Sequence, residues 1–146
     1  MGKNKIKLPE VTSHAGLVGL SKSQYENYGD DGTPTFCFKH LHKDYNLSTC
    51  CNSSDAKFLK GLLKKLEKIS QNFWSQIQLS DRQGQGTEKI EINSIKPGVP
   101  GTVSPDIKHF LSFYFAGKKG RLIGFRGQDS LFHVVYIDTK LSVYRH

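Results

Sequence analysis

Arg126, His133, Tyr144 and His146 lie within the last stretch of this sequence, and Lys118, Lys119 and Arg121 lead into them. These side-chain types can divide the work of breaking an RNA backbone without a metal ion. A base takes the 2′-hydroxyl proton, cations stabilise the phosphorane, and an acid protonates the leaving oxygen. His133, Tyr144, His146 and Arg126 are therefore the expected catalytic set. Arg121, Arg82, Lys89, Lys118 and Lys119 are the expected phosphate-binding set, with His109 as a further proton carrier. The plainer alternative is a group of ordinary surface cations, with His133 packed into an apolar strand.

Three other constellations bear on chemistry. Gln76, Asp81, Arg82, Gln83 and Lys89 surround a glycine pair, Gly84 and Gly86, where backbone can approach a ligand closely. The P-loop pattern is absent there, and a surface linker is the rival reading. Cys37, His40, His42, Cys50 and Cys51 are zinc-ligand types, but no C-x-x-C knuckle joins them and a plain hairpin accounts for the segment. Lys57, Lys60, Lys64, Lys65 and Lys68 load one helix with positive charge, suited to a phosphate backbone, an acidic protein or solvent. No nucleophile elbow, zincin motif or Rossmann fingerprint occurs. With thirteen acidic residues, a two-metal nuclease has little support. No metal site and no cofactor is expected.

The elements that must position these groups can be read from periodicity. Residues 34–50 alternate like a β-hairpin turning near His42-Lys43-Asp44. Residues 54–70 place Phe58, Leu59, Leu62, Leu63, Leu66 and Ile69 at helical spacing, with Ser54 or Asp55 as cap. Gly61 interrupts that helix where a close contact is expected. A short helix over 72–79, beginning at Asn72, presents Phe73, Trp74 and Ile77. After a glycine-rich connection, residues 88–95 alternate like an edge strand. A meander follows over roughly 108–115, 121–126, 131–138 and 141–145, joined by hairpin links. Arg121, Ile123 and Phe125 share one face of their strand. Leu131, His133, Val135 and Ile137 share one face of the next.

The expected class is α+β: an N-terminal hairpin and two helices packed on a C-terminal antiparallel meander, with the other sheet face open. The 146 residues suit one domain over 34–146, behind a weakly ordered basic N-terminal segment over 1–33 with lysines at 3, 5 and 7. A net charge of +8 points to a polyanionic partner. No apolar run is long enough to span a membrane. No secretory h-region opens the chain, and the three cysteines form a poor disulfide framework. A cytoplasmic protein without a membrane partner is expected.

GKKGRLIGFRGQDSLFHVVYIDTKLSVYRH resembles the C-terminal meander of RelE-like toxins. Gly120-Arg121-Leu122-Ile123 matches the first strand, Phe132–Ile137 the second, and Tyr144-Arg145 the terminal Tyr beside a basic residue. Trp74-Ser75-Gln76-Ile77, Arg82, Gly86, Glu88-Lys89-Ile90 and the later strands also resemble a group of short bacterial proteins of unassigned function. The toxin resemblance implies an endoribonuclease acting on free RNA or ribosome-bound mRNA and neutralised by an antitoxin. It implies that Arg121 contacts phosphate and that Tyr144 or His146 is the terminal acid or base. The long N-terminal segment, the hairpin before the helices and the extra glycine loop depart from that pattern. The leading expectation is thus a metal-independent endoribonuclease of toxin–antitoxin or phage-defence type, with RNA and an acidic antitoxin as partners. The alternatives are a non-catalytic nucleic-acid-binding module, and an adaptor or inhibitor that docks an acidic protein.

Overall fold

A computed structural model describes residues 32–50, 56–80, 86–127 and 130–145. Along the chain come β1 (Thr35–Cys37), α1 (Leu47–Cys50), α2 (Ala56–Ser70), α3 (Trp74–Leu79), β2 (Glu88–Glu91), a 3-10 turn at Ile92–Ser94, β3 (His109–Phe115), β4 (Gly120–Arg126) and β5 (Leu131–Asp138). The strands form one sheet in the order β1-β5-β4-β3-β2. β1 runs parallel to β5, and the other pairings are antiparallel. The α+β class expected from the sequence is the class found. The expected segment 1–33 falls outside the described residues, apart from its last two.

The helical layer follows from apolar spacing. Leu62 and Ile69 of α2 and Trp74 and Ile77 of α3 are buried with Phe113, Phe115, Leu122, Phe132, Val134 and Ile137 of the sheet. Each large side chain so buried contributes about 2 kcal/mol relative to exposure. The apolar stripe of α2 is narrower than its sequence suggests, for Leu59 and Leu63 stay exposed. Gly61 is needed because a Cβ there would lie 2.8 Å from the Cβ of Ala116, in the β3–β4 turn. Asn72 does not open the second helix: its side chain donates to the Lys68 carbonyl (2.7 Å) and closes α2 instead. α3 begins two residues later, where Gln76 Oε1 accepts the Phe73 amide at 2.8 Å.

Four further expectations are corrected. Residues 34–50 are not a hairpin. β1 pairs with β5, and the chain then follows β5 through bonds from His42 N to Val135 O (2.8 Å) and Ile137 N to Tyr45 O (2.9 Å). Asn46 then starts α1, accepting the amides of Ser48 and Thr49 on its Oδ1 at 2.9 and 3.2 Å. Residues 141–145 are not a strand. Asp138, fully buried, accepts the amides of Lys140, Ser142 and Val143 and turns the tail across the sheet.

The third correction follows from the second: the sheet face away from the helices is covered, not open. Ile90, Val103, Phe110, Ile123, Val135, Tyr136, Val143 and Tyr144 form a second core there, beneath the 92–108 connection and the tail. Lys96 N to Val143 O (2.8 Å) ties the two covering segments together. The fourth concerns β5. The register skips between Ile123/Tyr136 and Gly124/Val134, so Val135 bulges. Val135 and Tyr136 therefore both join the second core, and Ile137 joins the helical one. Only glycine fits opposite the bulge, since a Cβ on Gly124 would collide with the His133 carbonyl oxygen.

Candidate nucleic-acid interface

The sequence-predicted residues separate into a buried group and an open group. Arg121 is 3% and Tyr144 2% exposed. The Arg121 guanidinium lies 4.0 Å from the centre of the Tyr144 ring, and its Nη1 donates to the Tyr144 carbonyl at 3.1 Å. Tyr144 Oη is 3.0 Å from both Glu88 Oε2 and Ser112 Oγ. Its single proton goes to the carboxylate, and Ser112 donates to it. Burial raises the phenol above its ordinary range, with Glu88 adding to the effect against Ser112 and Arg121. Asp138 is the cross-strand neighbour of Arg121 and supplies a buried carboxylate on the same face. Arg121 and Tyr144 thus meet, but inside the protein, where a phosphate cannot reach them. Their expected roles as phosphate ligand and terminal acid or base do not fit this placement.

The open group occupies the end of the sheet where β4 finishes and β3 and β5 begin. Phe125 and His133 pair across the strands and stack at 4.7 Å, nearly parallel. The turn after β1 brings His40 against both, 5.2 Å from His133 and 5.8 Å from Phe125. His40 Nδ1 lies 2.9 Å from Thr102 Oγ1. In the same turn Phe38 stands 41% exposed. His133 has a lowered pKa, because partial burial and then the neighbouring His40 disfavour its cation. Its Nδ1 is buried with no hydrogen-bond partner among the described residues. Burial and His40 both favour its neutral imidazole over the cation.

Cations rim this end. A cavity of about 220 Å³ beside Phe125 is lined by Asp106, Lys108, His109 and Arg126. Arg126 reaches the helical face of the sheet, its guanidinium 4.9 Å from the centre of the Trp74 ring. Trp74 is itself fixed by an indole bond to the Ser130 carbonyl at 3.0 Å. Lys39 and Lys43 are exposed on either side of His40 in sequence.

The remaining predicted cations are scattered. Lys118 and Lys119 are exposed in the β3–β4 turn, at the opposite end of β4 from Arg126, about 20 Å away along the strand. Lys89 is exposed on the edge strand β2, in the row of Leu111 and Gly124. Arg82 and His146 lie outside the described residues, as do Asp81, Gln83 and Cys51. Gln76 is occupied in capping α3. Among the described residues, no three His, Cys, Asp or Glu side chains stand close enough to share a metal ion.

Sequence reasoning placed His40 in a possible zinc set and did not connect it, Phe38, Phe125 or Thr102 with His133. The one available signal was the apolar–imidazole alternation of Phe36, Phe38 and His40. It marked an extended segment but not its partner. Among the described residues, no helix is long and apolar enough to cross a membrane. No family model, curated protein or solved structure matches this chain.

Proposed function

We propose that the chain binds single-stranded RNA at the end of the sheet that carries Phe38, His40, Phe125 and His133. The observation that carries this reading is the stack of His133 on Phe125 with His40 against both, rimmed by Lys39, Lys43, Lys108 and Arg126 on a chain of net charge +8. Aromatic and imidazole faces stack unpaired bases at about 1–3 kcal/mol each, and a rim of cations tracks the backbone by releasing counterions. Double-stranded RNA does not offer those base faces.

The His40–His133 pair favours a second reading, the metal-independent endoribonuclease. A neutral His133 can accept a 2′-hydroxyl proton, His40 can supply the acid, and a rim cation can meet the phosphorane. Arg121 and Tyr144 take no part in this version.

One experiment tests both. The purified chain is incubated in EDTA with fluorescent single- and double-stranded RNA over a range of salt. Binding is expected for the single strand, with log K falling linearly in log salt. Equal affinity for the duplex would remove the stacking reading. Fragments ending in 2′,3′-cyclic phosphate, lost in His40→Ala and His133→Ala, would establish cleavage. Intact RNA on a saturated protein, with ribosomes present or absent, would leave binding alone.

A further inference from the structure

Beside the stacked cluster lies a second cleft, of about 380 Å³, between the segment after β1 and the 98–102 connection. His42 lines it and is 8% exposed. The His42 ring packs against Tyr136 at 5.4 Å and Tyr45 at 5.5 Å, so it cannot turn freely. Its Nδ1 accepts the Asp44 amide at 3.1 Å. An accepting Nδ1 carries no proton, so the ring's N–H is Nε2. Among the described residues that donor has no partner, although the rest of the ring is held on three sides. Lys39 and Lys43 line the same cleft, and Val99 and Pro100 give it an apolar wall. Thr102, on the rim, is the residue that His40 contacts.

A fixed N–H donor, two ammonium groups and an apolar wall in a space of this size suit a phosphate carrying a flat apolar group. We infer that this cleft is a subsite for one nucleotide of a bound strand, its phosphate on His42 Nε2–H, Lys39 and Lys43 and its base against Val99–Pro100. The inference rests on the single-strand reading above and extends it. The cleft joins the stacking surface through Thr102 and His40, so a strand crossing His133 and Phe125 would place its next nucleotide here. The site is independent of any cleavage step.

The test is an NMR titration of the full chain with a nucleoside 5′-monophosphate, the matching nucleoside, and inorganic phosphate, in parallel with RNA-binding measurements. The nucleotide is expected to shift the His42 Nε2–H resonance and the Lys43 amide, with a Kd in the millimolar range. The nucleoside and phosphate should each bind at least about tenfold more weakly than the nucleotide. The double variant Lys39→Ala/Lys43→Ala changes exposed residues and leaves the fold intact. It should abolish the nucleotide shifts and weaken single-strand binding about tenfold. His42→Phe keeps the ring packing and should lose the same shifts.

Single-strand binding with no shift at His42 or Lys43 would overturn the subsite and leave the function standing. Nucleotide shifts with no strand binding would leave a free-nucleotide site and overturn its assignment to a bound strand, together with the single-strand reading. Equal shifts from nucleotide and inorganic phosphate would show an anion site without a base pocket and overturn the assignment.

Discussion

β4 presents two arginines, and each lies over an aromatic ring. Arg121 sits 4.0 Å from the centre of Tyr144, and Arg126 sits 4.9 Å from the centre of Trp74. By residue type and spacing they are equivalent candidates for a phosphate. They differ in what crosses them. The tail turned by Asp138 returns over Arg121 and supplies the ring, the carbonyl and the cover. Arg126 stands at the strand's end, where Trp74 braces it from one side and it remains half-buried. A cation–aromatic pair is thus a structural rivet at one end of a strand and a braced surface charge at the other.

The two arginines should differ most when the buried one is truncated. Arg121→Ala should destabilise the fold by about 3 kcal/mol, since it opens a cavity and leaves the buried Tyr144 carbonyl without its donor. Urea denaturation measures this directly. A stable Arg121→Ala protein with weakened RNA binding would reverse the assignment and return Arg121 to the surface. Tyr144→Phe should cost less, about 1–2 kcal/mol, because it removes only the hydroxyl that Glu88 and Ser112 share. RNA affinity should be unchanged in the folded Tyr144→Phe protein. Loss of RNA cleavage at normal stability and affinity would instead support the terminal acid or base that the toxin resemblance implies.

What was legible in the sequence follows a physical division. The 3.6-residue apolar spacing of 56–70 and the alternation through 109–138 depend on local geometry, and these elements are where the pattern puts them. The covering of the second sheet face is not local. It depends on the Asp138 carboxylate gathering three amides of the following turn and on Lys96 meeting Val143. Alternation within 141–145 carries no sign of either, and so reads as one more strand. The bulge at Val135 is likewise invisible to a count of alternating residues, because Val134, Val135, Tyr136 and Ile137 are all apolar and suit either face. Gly124 was its one trace, a glycine in a strand interior. His40 and His133 are far apart in sequence and meet because β1 joins the sheet beside β5 rather than folding back on itself.

The open end should show the opposite balance of effects. Arg126→Ala should change stability by about 1 kcal/mol or less, since a half-exposed cation–aromatic pair is worth about 0.5–1 kcal/mol. It should weaken single-strand RNA binding about fivefold and reduce the slope of log K against log salt by about one. Paired denaturation and fluorescence anisotropy measurements separate the two. An Arg126→Ala loss of stability comparable with Arg121→Ala would mean that both arginines are rivets and that the rim has lost its central cation.

The smallest effect, and the finest discriminator, is the acid response of the stacked cluster. The folded pKa of His133 lies below its ordinary value of 6.5, through burial first and His40 second. Below 6.5 the unfolded chain therefore binds the proton more readily than the folded one, and stability falls with pH. The contribution is fully present above 6.5 and is lost as pH falls through the lower folded value. His133→Phe keeps a ring on Phe125 and removes the proton site. Its melting temperature should fall less than that of the unchanged chain between about pH 7 and pH 5. Parallel curves for the two proteins would mean that His133 titrates freely, and that the cluster is open enough for the imidazole to carry charge when a strand binds.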